Sequence, residues 1–400
     1  MDWETLAKEL SISTPSKIVL LVLDGLGDLP VEGYTALEKA HTPHLDRLAA
    51  KGACGLTDPV LRGITPGSGP AHLALFGYDP LRWQLGRGIL EALGSGVEVG
   101  PNDLVARGNY ATLKDGLIID RRAGRIPTSE NEILCRRVNS ALKAPSGLRI
   151  ALFPGKEHRF VVRFSSEGLS DALSDADPQK DHKPRAYAKA LSPEAQNTAD
   201  LVNRFLDDVT GILSDLTVAN TVLLRGFSKF PSIPSMPDLY KIKPAAIANY
   251  PMYKGLAKLL GMEVLNVGAE TKHLFDALEA GFKDHDFFFV HFKKTDAAGE
   301  DGNFPAKVKA IEELDAFLPR IEALAPDVLA VTADHSTPCL LKSHSWHPNP
   351  FLLVAKSALA DNVTIFSERA CSRGFLGRFP ALQAMPLLLA HAGKLQKYGA

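Results

Sequence analysis

Three apolar runs without polar alternation, each stopping at an aspartate, set the pattern of this chain. They are Lys17-Ile-Val-Leu-Leu-Val-Leu-Asp24, Asp286-Phe-Phe-Phe-Val-His-Phe-Lys-Lys-Thr-Asp296 and Asp327-Val-Leu-Ala-Val-Thr-Ala-Asp334-His335. A run of this kind, bounded by turn signals, predicts a strand buried on both faces. In an open parallel sheet, ligands bind beyond the carboxyl ends of the strands, so the three aspartates are expected at one crevice. Crowded carboxylates raise one another's pKa. Such a cluster calls for cations, and a metal site is the first expectation.

Between these runs the pattern predicts a short helix over 3–10 and a sharp turn at Asp24-Gly25-Leu26-Gly27-Asp28. Residues 35–51 carry helical spacing, with Thr42-Pro43 marking a start. A Pro/Gly-rich loop then delivers Ser68 just ahead of an apolar, helix-compatible run, and Pro70 suits a first helical turn. Ser68 is therefore expected at or just before a helix N-terminus, where N–H groups and the dipole favour an anion and a lowered hydroxyl pKa. Taken alone, the same serine reads better as an ordinary N-cap, and only the aspartate-lined crevice beside it turns the reading towards chemistry.

From about residue 85 the texture changes to Gly, Arg and short alternating runs, with strands expected over 148–153, 158–164 and 221–225 and a helix over 192–213. Residues 226–238, with prolines at 231, 234 and 237, read as a return linker. Helices are then expected over 244–260, 271–280 and 307–323, with a short strand over 262–267. The expected fold is α/β: a mostly parallel sheet flanked by helices from residues 1–84 and 236–400, and a smaller α+β domain inserted as residues 85–235.

At 400 residues, two domains are the natural expectation. Apolar content of 45% with 23% charged residues belongs to a soluble globular protein. A net charge of −1 argues against broad nucleic-acid binding. Cys54, Cys135, Cys339 and Cys371 show no C-x-x-C spacing, so neither a disulfide framework nor a zinc–thiolate site is expected. With an acidic start and no membrane-length apolar run, no signal peptide and no membrane partner are expected, and the cytoplasm is the expected compartment.

Two constellations carry chemistry. Asp24, Asp296, Glu300, Asp334, His335 and His344 form a mixed oxygen and nitrogen set suited to two divalent ions. In the inserted domain Arg121, Arg122, Arg125, His158 and Arg159, with Lys180 near in type, suit phosphate and carboxylate binding, since planar guanidinium groups bind both bidentately.

These residues sit in recognisable surroundings: Val22-Leu-Asp24-Gly25, Pro66-Gly-Ser68, His72-Leu-Ala-Leu-Phe-Gly-Tyr-Asp-Pro80 and Asp120-Arg-Arg-Ala-Gly-Arg125, then His158-Arg-Phe, Gly168-Leu-Ser-Asp171, Thr295-Asp296, Asp334-His335-Ser-Thr-Pro338, and His344 followed by Pro348-Asn-Pro350. Over nearly its whole length the chain resembles the cofactor-independent phosphoglycerate mutases, the archaeal-type group within the alkaline phosphatase superfamily. The resemblance implies an alkaline-phosphatase-like fold and interconversion of 3- and 2-phosphoglycerate, a step of glycolysis and gluconeogenesis, through a phosphoserine at Ser68. It implies one metal held by Asp24, Ser68, Asp334 and His335 and another by Asp296, His344 and Glu300, with manganese or magnesium first and zinc as a third option. The substrate would be gripped by the arginine and histidine set. The chain departs from the family at Glu300, where a histidine is usual, and at Gly69-Pro70, where Asp-Thr is usual. A phosphohydrolase or phosphotransferase acting on another small phosphorylated metabolite is the nearest alternative, and a non-catalytic binding protein the more distant one.

Overall fold

The structure, a computed structural model, describes residues 3–399. The chain forms two compact units, one from residues up to Gln84 together with those from Ile233 onward, the other from Leu85–Ser232.

The first unit is built on an eight-stranded sheet. Its order is Glu263–Val264, Pro244–Ile247, Phe287–Phe292, Ile18–Leu23, Val328–Thr332, Asn349–Ala355, Ala53–Asp58, Gly377–Pro380. Ile18–Leu23 runs parallel to both neighbours, with Leu23 opposite Phe292 and Val22 opposite Thr332. Every residue of these three strands is buried, because both faces are covered. Val19, Leu21 and Leu23 share a core with Leu45, Leu274 and Ile311 of flanking helices. On the opposite face Phe289 meets His72 and Phe76 at the edge of their rings. Two-sided burial is what removes alternation from a strand sequence. Asn349–Ala355 is antiparallel to both its neighbours, so the sheet is mostly parallel, as the apolar runs predict.

Several expected elements take another form. Residues 244–260 are not one helix: Pro244–Ile247 is a strand parallel to Phe287–Phe292, and the helix runs only over Pro251–Leu259. Alanine-rich Pro244–Ile247 has helical propensity, but its small side chains fill a buried slot in the sheet, and proline is tolerated as a strand's first residue. Residues 35–51 form two short helices, Ala36–Lys39 and Pro43–Ala49, the second starting at the expected proline. The 307–323 segment divides into Phe304–Asp315 and Leu318–Leu324, with Pro319 in the first turn of the latter. The expected linker over 226–238 holds the end of strand Thr221–Lys229 and the start of helix Met236–Tyr240.

The second unit has a six-stranded antiparallel sheet in the order Arg149–Pro154, Arg159–Ser165, Asp103–Lys114, Leu117–Asp120, Lys183–Pro184, with Thr221–Lys229 also paired to Asp103–Lys114. Helices Thr128–Ala141 and Gln196–Ile212 supply Leu134, Val138, Phe205 and Val209 to a core shared with Phe160 and Phe164 of the sheet. Among the described residues no helix is long and apolar enough to cross a membrane.

Candidate active site

Three adjacent buried strands of the first unit end side by side, and the residues that follow them bear the ionisable groups. Asp24 follows Leu23, Lys293 follows Phe292, and Asp334 and His335 come just after Thr332. Gly25 turns the chain there at a φ of 64°. A Cβ on it would lie 2.5 Å from Thr337 Oγ1 and 2.7 Å from Asp296 Oδ1, so the close meeting of these loops requires glycine. Helix Lys294–Glu300 begins directly beyond its strand and carries Asp296 in its first turn. Helix Ser68–Leu75 begins with Ser68, Gly67 serving as its cap. The Ser68 hydroxyl lies 3.2 Å from His335 Nε2.

Two groups of ligand-bearing side chains result: Asp24, Asp334 and His335, and Asp296, His335 and His344, with the donor atoms of each group within 4.8 Å of one another. His335 belongs to both. Its Nε2 is 3.1 Å from Asp334 Oδ2 and 3.4 Å from Asp24 Oδ1, while its Nδ1 is 4.0 Å from Asp296 Oδ1. The His344 ring stacks on it, with Nε2 3.6 Å from Asp296 Oδ1. Glu300 is exposed, its Oε1 3.9 Å from His344 Nε2, and it stands outside both groups.

Burial opposes ionisation of Asp24, but the hydrogen bond from His291 and the nearby charge of Lys293 outweigh it and hold the pKa well below the usual range. Burial and the Asp24 charge together push Asp334 well above that range. Two adjacent carboxyls driven in opposite directions form a pair that only a cation allows to ionise together. Burial pushes His335 down to about 3, so its imidazole is neutral and keeps a lone pair. Asp24 Oδ1 and Asp334 Oδ2 are buried and receive no hydrogen bond. Unsatisfied carboxylate oxygens beside neutral imidazoles fit a divalent ion.

The pattern of the chain did not single out the groups that brace these ligands. Lys293 Nζ lies 2.9 Å from Asp24 Oδ2 and 2.6 Å from Asp296 Oδ2. Burial works against its charge, but the two aspartates raise its pKa. Tyr253 donates its hydroxyl to Asp24 Oδ2, which His291 Nε2 also approaches to 3.0 Å. His72 Nδ1 sits 2.8 Å from the Ser68 carbonyl and 3.3 Å from Asp334 Oδ2. Thr337 donates to Asp296 Oδ1 at 2.6 Å. Of these, Lys293 had a readable signal: a cation at the end of a buried strand, three residues before an aspartate.

In the second unit the arginines are not equivalent. Arg121 is engaged by buried Asp177 through two hydrogen bonds, Nε to Oδ1 at 2.8 Å and Nη2 to Oδ2 at 2.7 Å. Arg122 and Arg125 are exposed. His158 is buried and pushed down to about 4, first by burial and then by the charge of Arg159, with Arg122 and Arg107 adding to it. Arg107, Arg122 and Arg159 are thus gathered around His158, and Arg107 was not among the expected residues. Arg159 Nε is buried without a hydrogen-bond partner.

The family model described as 2,3-bisphosphoglycerate-independent phosphoglycerate mutase matches residues 49–219. A curated relative from Thermosipho africanus, named "Probable 2,3-bisphosphoglycerate-independent phosphoglycerate mutase", is 54% identical over 401 residues, covering 100% of both chains. One of the same name from Thermus thermophilus is 53% identical over 406 residues, again covering 100% of both. Among solved structures, a Pyrococcus horikoshii protein superposes with a TM-score of 0.83 at 29% identity, covering 97% of this chain and 100% of its own. The cofactor-independent phosphoglycerate mutase of Thermoplasma acidophilum gives a TM-score of 0.75 at 31% identity, covering 94% and 100%. The chain therefore belongs to the 2,3-bisphosphoglycerate-independent phosphoglycerate mutase family.

Proposed function

We infer that this protein interconverts 3-phosphoglycerate and 2-phosphoglycerate without 2,3-bisphosphoglycerate, with Ser68 as the carrier of the phosphoryl group. The observation that carries the reading is the Ser68 hydroxyl, 3.2 Å from a histidine shared by two ligand groups, in a chain of this family. Two divalent ions, manganese or magnesium with zinc as a third option, held by Asp24, Ser68, Asp334 and His335 and by Asp296, His344 and Glu300, would lower the serine pKa and offset charge on the transferring group.

Ser68 Oγ bonds to phosphorus as the bond from phosphorus to the 3-oxygen breaks, and the serine proton passes to the departing oxygen. Glycerate stays and turns, its 2-oxygen takes phosphorus back, and Ser68 regains a proton. The Lys293 ammonium, kept charged by Asp24 and Asp296, is a fixed cation for the phosphoryl oxygens. We assign the substrate carboxylate and phosphate to Arg122, Arg125, His158 and Arg159, with Arg121 bracing the segment through Asp177. Retention of glycerate is what separates a mutase from a phosphatase. Glu300 in place of histidine adds negative charge and favours the harder ions. We assign the protein to the cytoplasm, supported by four free, buried cysteines.

Phosphorus NMR of the manganese-loaded protein with 3-phosphoglycerate alone tests the reading. Appearance of 2-phosphoglycerate, abolished in Ser68→Ala, is expected. Inorganic phosphate as the only product would replace the mutase with a phosphohydrolase.

A further inference from the structure

Lys307 lies on the core-facing side of helix Phe304–Asp315, in line with Ala310, Ile311 and Leu314, and is fully buried. Lysine is almost never fully buried unless paired. Its ammonium donates to the Gly27 carbonyl at 3.1 Å and the Thr337 carbonyl at 2.9 Å, and faces Asp28 Oδ2 at 3.4 Å. Gly27 follows Asp24 in one loop, and Thr337 follows His335 in another. Asp28 completes the junction from its other oxygen, which accepts the Cys339 N–H at 3.0 Å and the Leu29 N–H at 2.8 Å.

The loops are also tied directly. The Thr337 N–H reaches the Gly27 carbonyl at 3.1 Å and the Gly25 carbonyl at 3.3 Å, and its hydroxyl holds Asp296. A Cβ on Gly27 would fall 1.9 Å from Ser336 Oγ, so little slack exists between the two segments. Asp24 and Asp334 hang from these segments and Asp296 is bonded to one of them through Thr337, so something must hold the backbone against the mutual repulsion of the three carboxylates. An apolar residue at position 307 would fill the space but leave two carbonyls without their ammonium donor and Asp28 without its counter-charge.

We propose that Lys307 is a positioning residue for the metal centre, pinning the Gly27 and Thr337 carbonyls so that Asp24, His335 and Asp296 are held in ligand geometry, although Lys307 touches neither metal nor substrate. The proposal rests on the two-metal reading above. Groups that orient ligands from behind commonly govern metal affinity by 10–100-fold. Lys307 acts one step further back, through backbone.

Manganese titration of the whole protein, read by the electron paramagnetic resonance of free Mn²⁺, tests it, alongside thermal unfolding of the metal-free protein. Lys307→Met is expected to weaken Mn²⁺ binding by about tenfold, with turnover recovering when the ion is raised in proportion. A merely structural lysine would lower the metal-free unfolding midpoint and leave the affinity of the folded protein within about twofold of the parent, which would overturn the proposal. If Lys307→Met does not fold, Asp28→Asn decides by the same criterion, since it sets an amide against the ammonium and keeps the acceptor for Cys339. A parent protein that binds no Mn²⁺ would overturn the two-metal reading and this proposal together. A parent that binds it, with unaltered variants, overturns this proposal alone.

Discussion

The carboxylate cluster of the sheet unit and the guanidinium cluster of the inserted unit both gather like charges, and they differ in where water stands. Asp24, Asp296 and Asp334 are fully buried at the ends of strands that cannot move apart. Their repulsion can be relieved only by protonation or by a cation. Arg122 and Arg125 are exposed, where solvent screens them, and Arg121 has its own partner in Asp177. Burial turns crowded charge into a demand for a specific ion, whereas exposure leaves a surface able to grip an anion and release it.

The largest effect tests the buried side. Asp334→Asn is expected to reduce turnover on the order of a thousandfold, while the metal-free variant melts at or above the parent temperature because one repelling carboxyl is gone. A metal-free variant that melts lower would break the contrast. On the other side, Arg121 and Arg159 should separate. Arg121→Ala removes two hydrogen bonds from buried Asp177 and leaves it Arg225 at 3.7 Å and the Gln179 N–H, so it is expected to cost about 2 kcal/mol in denaturant unfolding, with KM little changed. Arg159→Ala is expected to raise KM about tenfold while stability stays within about 0.5 kcal/mol. Equal KM effects would erase the distinction between brace and ligand.

The smallest effect concerns a carboxyl that binds no ion. Burial pushes Glu368 up to about 7 from the ordinary 4.5, although Thr35 and the Asp28 N–H donate to it. Below pH 4.5 it is protonated whether folded or unfolded, so it contributes nothing there. Between 4.5 and about 7 the unfolded chain loses a proton that the folded protein keeps, and stability falls as pH rises. Glu368→Gln should flatten that slope in unfolding midpoints measured from about pH 5 to 8; an unchanged slope would place the carboxyl outside this account.

Much of the ligand set could be read from the chain because two-sided burial strips alternation from a strand and leaves the terminal aspartate conspicuous. His72, Tyr253 and His291 were hidden by the same physics, since each sits among apolar neighbours and reads as core until the partner carboxylate is seen. Arg121 and Arg159 look alike in sequence because Asp177, which tells them apart, lies 56 residues from Arg121. Pro244–Ile247 reads as helix from its alanines, and only its neighbours in the sheet make it a strand.

The central strand has a consequence for synthesis. Ile18–Leu23 leaves the ribosome before either of its two neighbours, which come from residues 287–292 and 328–332. Until then a wholly apolar segment has no partner, while the inserted unit, continuous from Leu85 to Ser232, already has its whole sequence available. Pairing across so long a stretch is slow. The nascent chain thus carries a wholly apolar segment through the synthesis of the whole inserted unit, and its need for chaperone protection is greatest just before the first of these neighbours emerges.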